Sequence, residues 1–220
     1  VKLAALYVSD DQHVSDDQHV PGDQGQASVL HLAVPGGYVS VDRLAASHNL
    51  DHLRGLADAG ELLARGPEVL GALRELAAEA ESGEAESGEP SVPEAEARLA
   101  PPVRRPGKII CVGLNYVAHI EESKLAKPDR IVLFAKFPNC LTGSGEPVLL
   151  PSITAELDYE GELAVVIGKR AHQVSAADAA EYIAGYTIIN DVSARDLQRE
   201  EAQWIRGKAL DTFAPLGPVL

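Results

Sequence analysis

The stretch Leu157-Asp158-Tyr159-Glu160-Gly161-Glu162-Leu163-Ala164-Val165-Val166-Ile167-Gly168 decides how this chain is read. Its apolar end is a strand, and side chains along a strand repeat every second residue, so Glu160 and Glu162 leave one face with only Gly161 between them. At a separation of about 4 Å and an effective dielectric of roughly 20, two carboxylates so placed repel by on the order of 4 kcal/mol, and a divalent cation between them relieves that repulsion. A second apolar run, Tyr186-Thr187-Ile188-Ile189, leads into Asn190-Asp191, and strand ends are where scaffolds commonly present reactive groups. Glu160, Glu162 and Asp191 together make an all-oxygen donor set of the kind magnesium and manganese prefer. The same residues also read as the solvated face of an edge strand with a turn aspartate beyond it, and residue types alone leave both readings open.

Composition bounds the function classes. The 220 residues are 45% hydrophobic and 24% charged, which describes a soluble globular protein with room for one sizeable core and a smaller unit. A net charge of −14 argues against nucleic acid or an anionic membrane as partner, since both demand a basic surface. Cys111 and Cys140 lack CxxC spacing, so neither a zinc site nor a disulfide framework is expected, and a reducing cytoplasm fits. No apolar run reaches membrane-spanning length, and Val1 to Tyr7 reads as a first strand rather than a signal peptide. Methionine is absent, which carries no functional weight. Val8 to His13 recurs as Val14 to His19, and Glu81 to Ala85 is followed by the near-copy Glu86 to Pro90. Such short hydrophilic tandems are solvent-facing loops more often than ligand sets, so His13 and His19 rank low as metal ligands.

Two domains are expected, at 1–100 and 101–220. In the first, Val29 to Val34 and Tyr38 to Val41 are hairpin strands punctuated by Pro21-Gly22 and Pro35-Gly36-Gly37. Leucines at helical intervals between Leu53 and Ala80 predict two helices split at Gly66-Pro67. Glu81 to Ala97, a mixture of Glu, Ser, Gly and Pro without periodicity, predicts an exposed acidic linker. In the second, Lys108 to Gly113, Ile131 to Ala135 and Leu163 to Ile167 read as buried strands, with helices near Val117 to Leu125 and from Ser175 to Tyr182, where Ser175 and Asp178 stand at capping-box spacing. The run Pro215 to Leu220 looks like the opening of a further strand.

His119 and Glu122, three apart on a helix, can face each other, and a histidine oriented by a carboxylate can take a proton from water at neutral pH. An ordinary surface pair is the plainer alternative. Lys136 and Lys208, in apolar or glycine-marked surroundings, either steady a developing oxyanion or reach out to water.

Taken in order, Lys108 to Tyr116, Asp158 to Glu162, Gly185 to Thr187 with Asn190 to Gln198, Gly207-Lys208, and Ala214 to Pro218 resemble the motifs of the fumarylacetoacetate hydrolase family. The resemblance covers about Pro106 to Leu220. It implies an α+β, mostly β fold, a mixed β-roll or barrel-like catalytic domain with a small N-terminal β/α unit, forming a homodimer that binds Mg2+ or Mn2+ and acts on 2-oxo or β-diketo acids. By motif position it implies Glu160, Glu162 and Asp191 as metal ligands. It implies His119 and Glu122 as the water-activating pair, with Lys208 as a further catalytic group. Lys136, Arg195 and Gln198 fall where the family lines its substrate site, Arg195 with Asp196 also bracing the site from behind. The activities implied are carbon-carbon bond hydrolysis of an acylpyruvase type, or isomerisation and decarboxylation of 2-hydroxyhepta-2,4-diene-1,7-dioate. Oxaloacetate decarboxylation or tautomerisation, or a non-catalytic metal-binding scaffold, are the alternatives.

The chain departs from the pattern in places. Fumarylacetoacetase itself supplies an additional upstream acidic ligand, whereas Gly113 to Ala118 holds Asn115 and no acid, which points to the smaller bacterial-type branch. Ala209-Leu210 stands where relatives often have Ser-Phe, and relatives continue for several strands past the point matching Leu220.

Overall fold

Strand β1 (Leu3–Tyr7) lies near the centre of an antiparallel five-stranded sheet completed by β2 (Ser28–Val34), β3 (Gly37–Ser40), β4 (Val92–Pro93) and β5 (Leu99–Ala100), in the order β4-β3-β2-β1-β5. The computed structural model describes residues 1–8, 26–82, 90–123 and 126–220, with the backbone alone at 81, 119, 122 and 123. Most of the tandem repeats, His13 and His19 included, lie outside the described residues.

Three helices cover one face of this sheet: α1 (Val41–Ser47), α2 (Ala59–Ala64) and α3 (Pro67–Ser82). Ser40 caps the first by accepting from Arg43 N at 3.4 Å, and Asp58 caps the second by accepting from Glu61 N at 3.0 Å, each satisfying a backbone donor that a helix start leaves unpaired. The leucines read as helical stripes meet strand residues in one core containing Leu30, Leu32, Leu44, Leu62, Leu73 and Leu76. The split at Gly66-Pro67 falls where expected, since proline suits the first turn of a helix and not its interior. Within the span expected as a linker, α3 runs on to Ser82, and Val92 and Pro93 pair with Tyr38 and Gly37. Edge strands of two residues carry no periodicity for a sequence reading to detect.

Further along the chain comes an antiparallel pair, β6 (Ile109–Gly113) with β7 (Val132–Lys136), flanking helix α4 (Val117–Ser123) in sequence. Next come β8 (Leu141–Thr142), β9 (Leu157–Asp158), β10 (Gly161–Ile167), β11 (Ile183–Asn190), β12 (Ser193–Ala194), helices α5 (Arg195–Glu200) and α6 (Ile205–Lys208), and β13 (Ala214–Gly217). A four-stranded sheet runs β10-β11-β13-β8, its last pair parallel, and β9 pairs with β12. The fold is thus α+β and mostly sheet, with a curled half-barrel, as the sequence implied. Ser175 to Tyr182 differs from expectation: the Ser175 hydroxyl and the Asp178 N–H bond at 3.2 Å, yet only a 3-10 turn forms over Ala179–Tyr182 before β11 takes over.

Hydrogen bonds join the residues before position 101 to those after it. Asp58 Oδ2 accepts from Arg104 N at 3.0 Å, the Arg104 guanidinium donates to Ser28 Oγ at 2.9 Å and Gln26 O at 2.5 Å, and Leu3 and Leu220 exchange two backbone hydrogen bonds at 2.8 Å.

Candidate metal centre

Glu160 sits in the two-residue gap between β9 and β10, Glu162 is the second residue of β10, and Asp191 immediately follows β11. Two backbone ties fix the gap. Asp191 N donates to Glu160 O at 2.8 Å, and Glu160 N donates to Asn190 Oδ1 at 3.0 Å, so the end of β11 holds both polar backbone groups of Glu160. One ligand atom from each of Glu160, Glu162 and Asp191 falls within 4.8 Å of the others. The three acids do converge, and the solvated-face reading fails on burial: Asp191 is 1% exposed and the Glu160 side chain 16%.

Three cations surround them. Lys208 Nζ donates to Glu160 Oε2 at 2.7 Å and to Asp191 Oδ2 at 2.9 Å. Arg195 Nη1 stands 2.6 Å from Glu160 Oε1, while its Nε and Nη2 donate to Asp158 Oδ2 at 2.8 and 2.7 Å. Lys136 Nζ forms a buried ion pair with Asp191 Oδ1 at 2.8 Å. Burial works against the ionised form of Glu160, but Lys208 and then Arg195 outweigh it and hold its carboxyl below the usual range. Among the described residues Glu162 has no ion-pair partner, and the charges of Lys208 and Lys136 lower its pKa less than its surroundings raise it. Burial first, then the charges of Asp191 and Glu160, push its carboxyl up to about 7.

Local packing explains how the lysine arrives. Gly207 is buried where α6 crosses α5, and a Cβ there would fall 2.8 Å from Gln198 N and 2.9 Å from Ala194 O, so the close approach that delivers Lys208 requires glycine. Lys208 Nζ also lies 5.2 Å from the centre of the Phe134 ring, which packs edge-on against Trp204. Arg195 Nη1 donates to Gln198 Oε1 at 2.9 Å, bringing that residue to the same cluster. Asp196 accepts from Thr154 Oγ1 at 2.5 Å and from Ala155 N at 3.0 Å, so it braces the loop before β9 from outside. His119 and Glu122 fall on α4, and their side chains lie outside the described residues. The start of that helix is placed beside the acids, because the Tyr116 hydroxyl accepts from Leu163 N at 3.3 Å.

Asn190, Asp158 and Phe134 escaped the sequence reading as site residues. Asn190 was adjacent to a chosen ligand and offered a signal, since a short amide beside a strand end commonly ties backbone. The ring of Phe134 offered none, because aromatic residues in apolar strands look alike whichever way they face.

A donor set of three carboxylates whose ligand atoms come within 4.8 Å of one another fits a hard divalent ion. The family model for the fumarylacetoacetate (FAA) hydrolase C-terminal region matches residues 108–220, the span that carries this centre. The chain belongs to the fumarylacetoacetate hydrolase family. Human mitochondrial oxaloacetate tautomerase FAHD2A is 46% identical over 133 residues, 60% of this chain and 42% of that protein. Among solved structures of this family, a fumarylacetoacetate hydrolase from Exiguobacterium antarcticum superposes with TM-score 0.65 at 30% identity, covering 99% of this chain and 65% of its own. A 2-hydroxyhepta-2,4-diene-1,7-dioate isomerase from Mycobacterium marinum gives 0.59 at 28%, covering 100% and 65%. The chain thus spans less than half the length of the tautomerase it matches. Among the described residues no helix is long and apolar enough to cross a membrane.

Proposed function

We propose that this chain carries the catalytic centre of a divalent-metal-dependent enzyme that interconverts keto and enol forms of a 2-oxo acid, with oxaloacetate as the leading substrate. The convergence of Glu160, Glu162 and Asp191 within 4.8 Å supports this reading most. The tautomerase relative supports the choice of reaction.

Glu160, Glu162 and Asp191 would hold Mg2+ or Mn2+, which when bound would supply Lewis acidity toward a 2-oxo acid. Lys208 contributes separately: an ammonium has three protons, two go to Glu160 and Asp191, and among the described residues the third has no acceptor. That third proton is available to the negative charge that develops on the keto oxygen as a proton leaves the neighbouring carbon. His119 is the base for that proton, with Glu122 fixing its tautomer. Arg195 and Gln198 close the side of the site nearest Asp158.

The isomerase solved structure favours a second reading, isomerisation of a longer diene dioate at the same centre. That too is a proton shift and needs no water, whereas acylpyruvase-type hydrolysis needs His119 to activate one. A homodimer, and a reducing compartment suited to the buried free thiols Cys111 and Cys140, complete the proposal.

The test follows the loss of the enol absorbance of oxaloacetate with Mg2+ present. Turnover is expected to vanish with EDTA and to fall by about a hundredfold or more in Glu160→Ala, the scale on which removing one charged stabilising group acts. Turnover that survives both treatments refutes the assignment, and Mg2+ binding without turnover of oxaloacetate or the diene dioate leaves the scaffold reading in its place.

A further inference from the structure

Lys136 and Lys208 flank Asp191 from opposite sides, and their donor accounts differ. The Lys136 side chain is 0% exposed. Its ammonium donates to the backbone carbonyls of Val192 at 3.0 Å, of Phe213 at 2.8 Å, and of Lys208 in a still closer contact. Three protons meet three carbonyls, so no N–H remains for a substrate. Those carbonyls belong to the residue after Asp191, to Lys208 itself and to the residue before β13. One buried charge at the end of β7 therefore sets the distance between the strand end that presents Asp191 and the helix that presents Lys208. It also pairs with Asp191 Oδ1 at 2.8 Å.

We propose that Lys136 is a positioning residue: it clamps the backbones of Val192, Lys208 and Phe213 and aims the Asp191 carboxylate toward the metal, without touching substrate. This replaces the substrate-lining role that motif position implied, and it rests on the metal reading above. A carboxylate that must meet an ion gains from a fixed charge beside it that holds its orientation. Lysine suits the place because its ammonium donates in three divergent directions, whereas the planar fork of arginine does not fit three carbonyls arranged around one nitrogen.

The experiment measures Mn2+ binding to the full chain from the free-ion EPR signal, with no substrate present. Lys136→Met is expected to bind Mn2+ at least tenfold more weakly. In Lys136→Ala, added propylammonium, which replaces the missing atoms, is expected to restore binding, and neutral propanol is not. Near-UV dichroism of Trp204 reports whether each variant keeps its packing. If the wild-type chain binds no Mn2+, the metal reading fails and this assignment falls with it. If wild type binds and Lys136→Met binds equally well while KM for oxaloacetate rises, only the positioning role fails. Should both variants fail to fold, the wild-type chain decides through the 15N resonance of the Lys136 ammonium. A shift on adding Mg2+, with none on adding oxalate to the Mg2+-loaded chain, supports the clamp, and a shift on oxalate alone overturns it.

Discussion

The residue whose chemistry is most exposed to test is Glu162. Burial and the neighbouring charges of Asp191 and Glu160 raise its carboxyl from the ordinary 4.5 to about 7. A carboxyl with a higher pKa folded than unfolded holds its proton more tightly in the folded chain, so its contribution to stability falls as pH rises from 4.5 through about 7. In the absence of divalent metal, the Tm is expected to decline across that window, and Glu162→Gln, which cannot ionise, is expected to flatten the decline. Metal binding should reverse the sense: at pH 6 the ion displaces the Glu162 proton, and at pH 8 there is little left to displace. Titration calorimetry of Mg2+ in buffers of differing ionisation enthalpy checks this, and equal proton release at both pH values would contradict it. The pairing of Glu160 with Glu162 was legible because a two-residue spacing is a geometric statement about a strand. Their inequality was not, because it depends on Lys208 and Arg195 both turning to Glu160, and no spacing encodes that choice.

At the scale of the element, the long periodic segments announced themselves and the short ones did not. The helices at Ala59–Ala64 and Pro67–Ser82 followed from leucine spacing, whereas Arg195–Glu200 and Ile205–Lys208 are too short to show a period, and tertiary packing holds them. The second of these matters most to function, since it ends in Lys208. Gly207 lets α6 approach α5: a Cβ there would fall 2.8 Å from Gln198 N and 2.9 Å from Ala194 O, so a methyl group must push the two helices apart. Gly207→Ala is expected to cost about 1–3 kcal/mol, the range for overpacking a tight contact. It should also lower turnover more than Mn2+ affinity, because Lys208 moves while the three carboxylates remain on their strands. Urea unfolding beside a kinetic assay separates the two effects. A variant with full activity and wild-type stability would show that the helices can yield without moving the lysine.

Across the whole molecule, the strands of the second unit read as buried on both faces, and the structure buries only one. Along β10 and β11 the exposed positions are apolar: Leu163, Val165, Ile167, Tyr186 and Ile188 stand on the outer face of a paired sheet, with Ile110 and Leu133 similarly uncovered on β6 and β7. Apolar periodicity records what a strand is built to bury and is silent on what supplies the cover. Contiguous exposed apolar faces mark interaction surfaces. In the homodimer proposed above, a second copy of the chain would cover the β10-β11 face. Light scattering after size exclusion is then expected to give twice the 23.3 kDa chain mass, with little binding of a hydrophobic dye. Val165→Lys, which sets a charge in the middle of that face, should return the monomer and raise dye binding, because a buried unpaired ammonium is costly. Mn2+ affinity should stay unchanged, since Val165 points away from Glu162 and its partners along the alternating strand. A wild-type chain that runs as a monomer and binds the dye strongly would show that no second copy covers this face.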